Sequence, residues 1–482
     1  MKKILGFVLV ALFAVSGTLS AFEPCAPLIY PADSAVTVRI KAVSPWAKKW
    51  LDAAHAFMKD GKHKSIVKGK NCPLVGYYRE DRRYSDSEEF RGSLIPEPVE
   101  FKIEGDVISA KVKFVGANYH YIVFCLLPGP AKGLPASRSV KFMTLDAETF
   151  KLRPYKGNLH QHSNVSDGKY DPQEHVAYAR IAGFDFVGLS DHGKYEQNPV
   201  ISKAAADSQS GLTVYPAEEL HTPGNVLHGL SIGATKGYSY RGNRTPQWMK
   251  EVRPIWDEIN KKHPSVPKSE TLPWAESLLL AKRAKADGAL LVYCHPSWKP
   301  RYFYFINSTR AMTDYLIRSG VFDVVEVING SMFHKSGREN LETLARFHEL
   351  CIELGKKIPV MSSSDSHFVS GPGYPRNYNV IFAPDCTFPS FKAAFLEGRA
   401  VASYDLDVKN SSPMNLGAFS FVCYANFLDE IGFWKKQYEY GKQQGELILK
   451  YLKGDKTVLE KIKQLAKQIE ENRNSFYYQP GK

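Results

Sequence analysis

Polar and apolar residues alternate with a period of two early in the chain. Ala35–Ala42 follows this rule, as does Pro98–Phe114, most plainly in Val107-Ile-Ser-Ala-Lys-Val-Lys-Phe114. Alternation of this kind puts the apolar side chains on one face of a strand. Tyr119–Leu127 is more evenly apolar and predicts a strand buried on both faces. One helix is predicted over Trp46–Met58. Residues 22–150 therefore read as a β-rich, sandwich-like domain.

Near Lys156 the pattern changes. Asp171-Pro172-Gln173-Glu174 predicts a helix start, with Asp as N-cap, Pro in the first helical position and an acid behind it. Gly183 supplies the stop, and a strand follows at Phe184–Leu189. The alternation then repeats. A helix at Thr271–Asp287 leads to a strand at Ala289–Cys294, and a helix at Thr309–Ser319 to a strand at Val321–Val327. A helix at Gly337–Lys356 leads to a strand at Ile358–Ser362, followed by a strand at Tyr378–Phe382 and a helix at Pro389–Gly398. Residues 151–404 thus predict an α/β unit on a parallel sheet, closed or open. From Asp405 to Lys482 the period is helical: Phe427, Ile431, Trp434 and Tyr438 form one stripe, and Val458, Ile462, Leu465 and Ile469 another. A helical C-terminal extension is expected.

Residues 1–21 stand apart. Lys2 and Lys3 precede the apolar stretch Ile4–Val15 and the small residues Gly17, Thr18, Ser20 and Ala21, the layout of a secretory signal peptide. The stretch is short for a membrane span, which takes about 20 apolar residues. No later run is long enough either, so the expectation is an exported protein, secreted or periplasmic, with no span after signal removal.

The chain has 482 residues, 44% hydrophobic and 23% charged, which supplies packed cores and excludes disorder. Lys and Arg number 63 against 50 Asp and Glu, a formal +13 that favours anionic partners. The cations are spread along the chain, so no dedicated nucleic-acid partner is expected. Seven scattered cysteines with no C-x-x-C argue against a thiolate zinc site. Cys25 and Cys72 could pair in an oxidising compartment, while Cys125, Cys294 and Cys423 lie in apolar runs and read as buried thiols.

The chemistry lies at the strand ends. His160 and His162 follow the run Tyr155–Leu159, and Asp167 comes next in Ser166-Asp167-Gly168. Asp191 and His192 follow the strand ending at Leu189. Glu218 and Glu219 follow Thr213–Tyr215, and His228 adjoins Leu230–Ile232. His295 follows Leu290–Cys294, and Asp365 and His367 follow Ile358–Ser362. In a parallel α/β unit the strand C-termini meet on one face, where sites form. These residues would therefore converge. Imidazole nitrogen and carboxylate oxygen suit Zn, Mn or Fe. Six imidazoles and three carboxylates exceed what one ion takes, so two or three divalent ions are expected. Asp191 also fits a helix N-cap.

Gly157-Asn-Leu-His-Gln-His-Ser-Asn-Val-Ser-Asp-Gly168 resembles the first motif of the PHP (polymerase and histidinol phosphatase) family. Gly188-Leu-Ser-Asp-His192, Cys294-His-Pro296 and Ser364-Asp-Ser-His367 resemble its second, third and fourth. The resemblance covers roughly residues 155–403, and the two-part layout is most similar to the carbaryl-hydrolase-like subgroup. It implies a distorted (β/α)7 barrel, flanked here by the β-rich domain and the helical extension, with a trinuclear centre. His160, His162, Glu219 and Asp365 would hold one ion; Glu219, His228 and His295 a second; Asp167, His192 and His367 the third. In Ala217-Glu218-Glu219 either acid could take the bridging place, and His221 competes with His228.

The chemistry such a centre implies is hydrolysis. Water between two ions is deprotonated near neutral pH and attacks, while the third ion binds a substrate oxygen. Asp365 or His367 would move a proton to the leaving group. Arg301, Arg338 and Arg376 lie in predicted loops or helix starts and suit bidentate phosphate contact, and Asn329 is a further pocket candidate. Cys294 reads as core. The leading expectation is an exported phosphoesterase acting on a small anionic phosphoester. Hydrolysis of a carboxylic ester, amide or carbamate on the same centre is the alternative, and a non-catalytic metal-binding protein a third class.

Overall fold

The computed structural model describes residues 21–59, 72–79, 97–127, 137–298, 309–330, 332, 335–371, 374–406 and 413–480. It divides into two compact units, one formed by Met1–Phe150 with Ser475–Lys482 and the other by Lys151–Asn474. The expected signal peptide falls almost wholly outside the described residues. Cys25 carries a free thiol, and the side chains of Cys72 and Cys125 also lie outside the described residues. Among the described residues no helix is long and apolar enough to cross a membrane.

The first unit contains β1 (Phe22–Pro24), β2 (Ile29–Pro31), β3 (Ala35–Ala42), α1 (Pro45–Lys59), β4 (Cys72–Arg79), β5 (Glu97–Pro98), β6 (Phe101–Glu104), β7 (Val107–Lys113), β8 (Tyr119–Leu127), β9 (Ser137–Leu145) and α2 (Ala147–Phe150). They form two sheets, ordered β1-β3-β7-β6 and β2-β9-β8-β4-β5. The period-two pattern does what it predicts: Ile108, Ala110 and Val112 on β7 are buried. Phe22 from one sheet stacks on Phe124 from the other at 3.8 Å, and Trp50 of α1 packs edge-on to both. The end of the chain also belongs here. Leu28 and Ile29 donate their N–H groups to the Phe476 carbonyl, and Tyr478 donates to Ile29.

The second unit carries β10 (Arg153–Asn158), α3 (Glu174–Ile181), β11 (Phe186–Leu189), α4 (Gln197–Ser208), β12 (Thr213–Leu220), β13 (Gly229–Ile232), α5 (Pro246–Lys262), α6 (Lys268–Ala286), β14 (Leu290–Tyr293), α7 (Arg310–Arg318), β15 (Val324–Asn329), α8 (Lys335–Leu354), β16 (Val360–Ser363), β17 (Asn377–Ala383), α9 (Phe388–Leu396), β18 (Ala400–Asp405), β19 (Pro413–Gly417), α10 (Phe419–Glu430), α11 (Phe433–Leu452) and α12 (Leu459–Ser475). Its ten-stranded sheet runs β16-β15-β14-β13-β12-β11-β10-β17-β18-β19. Alternate residues face two layers. Leu290, Val292 and Val324 pack with Leu159, Leu230, Met361 and Ile381 and with Phe391 and Phe395 of α9. Leu291, Tyr293, Val325 and Val327 pack outward against Trp274, Leu280 and Leu316.

The sheet is not purely parallel. β10–β11–β12 and β14–β15–β16 pair parallel, but β13 lies antiparallel between β12 and β14, and β17, β18 and β19 continue antiparallel. The physical reason is connection length. A parallel return needs a crossover of a dozen residues or more, and the link from Leu220 to Gly229 is too short for a helix. The stripe from Phe427 to Tyr438 is also broken. Gly432 adopts a left-handed conformation (φ 67°) between α10 and α11, turning the chain. The second stripe stands: Ile462, Leu465 and Ile469 are the buried face of α12.

Candidate metal centre

The strand ends of the second unit bring the nine predicted metal residues together. Glu219 is the hub. Its Oε1 lies 2.6 Å from His228 Nδ1 and 3.6 Å from His295 Nε2. Its Oε2 lies 2.6 Å from His192 Nδ1, 3.4 Å from His160 Nε2 and 3.5 Å from His162 Nε2. Asp365 Oδ1 closes the opposite side, 3.0 Å from His162 Nε2 and 3.4 Å from His160 Nε2. Asp167 completes the set, with Oδ1 3.2 Å from His367 Nε2 and Oδ2 3.6 Å from His192 Nε2. Several subsets could each hold an ion, among them His162–Asp167–His192–His367, His192–Glu219–His221–His228, His160–Glu219–His295 and His160–His162–Asp365. The subsets share members, so the cluster is continuous.

Strand geometry separates the two neighbouring acids. Successive side chains on β12 point to opposite faces. Glu218 turns away and accepts the backbone N–H groups of Tyr238 (2.7 Å) and Ser239 (3.0 Å), while Glu219 enters the cluster. His221 enters as well as His228: its Nε2 lies 2.9 Å from His192 Nδ1, and Asn225 Oδ1 contacts its Nδ1. Asp191 is buried outside the cluster and orders the preceding loop. It accepts from Ser163 N (2.8 Å), Ser163 Oγ (2.7 Å) and Ser166 Oγ (2.6 Å). Asp167 depends on that loop, and Gly168 makes it possible: a Cβ there would collide with the His162 carbonyl.

The two predicted arginines among the described residues do not join the cluster. Arg376 Nη1 donates to the carbonyls of Asp405 (3.4 Å) and Leu406 (3.1 Å). Arg338 is exposed on α8, and Arg301 lies outside the described residues. Asn329 does reach the site, donating to Asp365 Oδ2 at 3.3 Å. Cys294 is buried, and burial pushes its thiol well above the ordinary range. One residue escaped the sequence reading altogether: Glu326, on β15, whose Oε1 lies 2.9 Å from His160 Nδ1. Its signal was present, a single acid inside the apolar run Val324-Val-Glu-Val-Ile328.

Charge in the cluster is strongly coupled. Burial alone would raise the Glu219 carboxyl; facing His192, His228 and His160 outweigh it and hold it well below the ordinary range. Asp365 is held low in the same way by His160 and His162 against burial. Burial opposes protonation of His160, yet Asp365 and Glu326 raise it well above an ordinary imidazole. For His228 burial wins over Glu219 and pushes it down to about 3.

The residues fit a cation. His160 Nε2, His162 Nδ1, His228 Nε2 and His295 Nδ1 are buried without a hydrogen-bond partner. Such orphans are rare in folded proteins and call for a ligand or ion. His295 (φ 23°) and Asp365 (φ 47°) both adopt left-handed backbone, a strained choice for residues other than glycine. Access is from one side. Asp167 and His367 are 56% and 32% exposed at their side chains, whereas Glu219, His160 and His162 are at 0%.

No family model matches the chain, and no curated protein matches it. Solved structures do. A two-domain protein from Bacteroides vulgatus containing a predicted PHP-like metal-dependent phosphoesterase is 17% identical over 53% of this chain and 66% of its own, with a TM-score of 0.37. A protein from Bifidobacterium adolescentis described as a metal-dependent phosphoesterase is 17% identical over 45% of this chain and 89% of its own (TM-score 0.30). An amidohydrolase from Chromobacterium violaceum is 16% identical over 44% of this chain and 87% of its own (TM-score 0.26).

Proposed function

We propose that the chain is an exported metal-dependent hydrolase of the PHP type, its second unit a distorted (β/α)7 barrel, and that it cleaves a small anionic phosphoester at a centre of two or three divalent ions. The observation that carries the reading is the cluster around Glu219: five imidazoles within 3.6 Å of one carboxylate, with buried lone pairs that no protein donor satisfies. His160, His162, Asp167, His192, Glu219, His228, His295, Asp365 and His367 would hold the ions, with His221 beside them. Zn, Mn or Fe bound there would supply Lewis acidity and a nucleophile from water at neutral pH.

The chain's own groups do the rest. Substrate arrives at the Asp167–His367 side, the open edge of the cluster. Lys169 and Arg241 stand near that edge, Lys169 two residues before Asp171 with its N–H on the His367 carbonyl (3.0 Å), and Arg241 with Nη1 on the His192 carbonyl (3.2 Å). With a formal +13 on the chain, these cations favour an anionic substrate. His367, whose Nε2 faces Asp167 at 3.2 Å, is the most exposed of the six imidazoles. Deep burial of Glu219 and His160 excludes bulk water from the inner part.

The test is a metal analysis of the purified protein and an assay with phosphomonoester, phosphodiester and carboxyl-ester chromogens in Mn²⁺ or Zn²⁺. Phosphoester turnover is expected. Turnover of carboxyl esters alone would move the assignment to the ester and amide class, and metal uptake without turnover to a metal-binding protein.

A further inference from the structure

We propose that Glu326 is a positioning residue of this centre, fixing the ring of His160, the backbone at His295 and, through Asn329, the carboxylate of Asp365. The proposal rests on the metal-centre reading above. Glu326 is buried on a strand whose other members up to Ile328 are Val324, Val325 and Val327, all apolar and buried. A carboxylate is costly to bury and persists only where donors satisfy it. Four do. Oε1 accepts from His160 Nδ1 (2.9 Å) and from Ser363 Oγ; Oε2 accepts from the His295 backbone N–H (2.8 Å) and from Asn329 Nδ2 (3.0 Å).

Each bond has a geometric consequence. A proton on His160 Nδ1, given to Glu326, leaves the lone pair on Nε2, the atom that faces Glu219 and Asp365 at 3.4 Å each. The bond from His295 N–H secures that residue in its left-handed conformation, from which its Nε2 reaches Glu219. The Asn329 amide is shared between Glu326 Oε2 and Asp365 Oδ2, tying a second left-handed residue to the same carboxylate. Three residues from three strand ends thus depend on one side chain of a fourth element. Glu326 is not itself aimed into the cluster. Although it could group with His160 and Cys294 around an ion, both its oxygens are already occupied by protein donors, and the Cys294 thiol is directed to the Val292 carbonyl. Imidazoles that bind metal characteristically donate their other N–H to a carboxylate, and loss of that partner costs roughly 10–100-fold in metal affinity.

The experiment is Zn²⁺ affinity of the full chain by competition with a chromophoric chelator, for wild type, Glu326→Gln and Glu326→Asp. Both variants are expected to bind roughly 10–100-fold more weakly, because Gln carries no charge to orient the His160 proton and Asp falls one methylene short. Wild-type affinity in either variant that remains folded overturns the proposal while leaving the metal-centre reading intact. A second measurement needs no variant. In the Zn²⁺-loaded wild type labelled with ¹⁵N-histidine, His160 is expected to carry its proton on Nδ1 and the metal on Nε2; an unprotonated Nδ1 overturns the proposal. A wild type that takes up no Zn²⁺ removes the metal-centre reading and this inference together.

Discussion

Asn379 binds Ser362 as a neighbouring strand would. Its Oδ1 accepts the Ser362 N–H at 3.0 Å and its Nδ2 donates to the Ser362 carbonyl at 2.7 Å, with both residues fully buried. Among the described residues no backbone ladder joins β16 to β17. The side-chain amide takes its place and draws the curled sheet nearly closed beneath the cluster.

Replacing Asn379 by Ala would leave a buried N–H and a buried carbonyl unpaired, each costing about 1–3 kcal/mol. The expected outcome is a loss of about 2–6 kcal/mol, read as a lower denaturant midpoint. Asn379→Asp keeps the acceptor but sets a buried carboxylate oxygen against the Ser362 carbonyl and is expected to rescue none of the loss. A midpoint unchanged in the Ala variant would show that the sheet closes by other means.

His175 gives the protein an acid sensitivity. Its Nδ1 meets Gln161 Oε1 at 3.0 Å, and Gln161 also accepts the Tyr374 hydroxyl at 2.9 Å. Burial, with a smaller contribution from His162, pushes His175 down to about 3 from the ordinary 6.5. The unfolded chain therefore binds the extra proton between those values and the native state does not. Stability falls as pH falls through that window and is unaffected by this group above it. Between pH 6.5 and 5 the loss amounts to about 2 kcal/mol. Denaturant unfolding of the metal-free protein at those two pH values should show a loss smaller by that amount in His175→Gln than in wild type, in which His228 contributes as well.

Most of the nine residues were legible because they follow an apolar run closely and strand C-termini gather on one face; His228 instead precedes the antiparallel β13, and Asp167 lies in the loop after His162. What the sequence hid depended on direction and distance. Glu218 and Glu219 are chemically alike; only the pleat of β12 decides which one enters the cluster. The antiparallel insertion of β13 leaves no mark in hydrophobic period, since an antiparallel strand buried on both faces reads like a parallel one. Helix α5 was missed although Thr245-Pro246 marks its start, with Thr245 Oγ1 accepting the Trp248 N–H (3.2 Å). Glu326 was passed over because pattern reading treats a lone acid in an apolar strand as an interruption, whereas its burial cost makes it informative.

Asp185 ties the C-terminal helices to the sheet of their unit. Its Oδ1 accepts from Arg473 Nη2 on α12 (2.6 Å) and from Gln437 Nε2 on α11 (2.9 Å), and its Oδ2 from the Lys156 N–H (3.0 Å). Arg180 of α3 stands 3.8 Å away and bonds Gln444 of α11 at 2.6 Å. These charges are buried, so removing the acid leaves the Arg180 guanidinium without a carboxylate and Arg473 with Glu470 alone, at a cost of about 3–5 kcal/mol. Asp185→Asn is expected to lower stability by that order and to expose α11 and α12 to limited proteolysis. Protection equal to wild type would mean that the apolar faces alone dock these helices.

Metal uptake should couple to stability and to pH. A cation that binds only the native state stabilises by mass action, about 2.7 kcal/mol at a hundred times its Kd. Zn²⁺ or Mn²⁺ is therefore expected to raise the thermal midpoint, and a chelator to reverse the rise. His160 and His367 are held above the ordinary imidazole range, against burial, by Asp365, Glu326 and Asp167. In the metal-free protein they keep their protons to higher pH, and those protons must leave before a cation binds. Affinity should consequently weaken as pH falls from 8 to 6. His162→Ala and Asp365→Ala should abolish both the thermal shift and turnover. Glu218→Gln, whose partners Tyr238 and Ser239 lie outside the cluster, should retain both. A Zn²⁺-induced shift that survives in both His162→Ala and Asp365→Ala would place the bound ion in the His192–Glu219–His221–His228 group or outside the cluster.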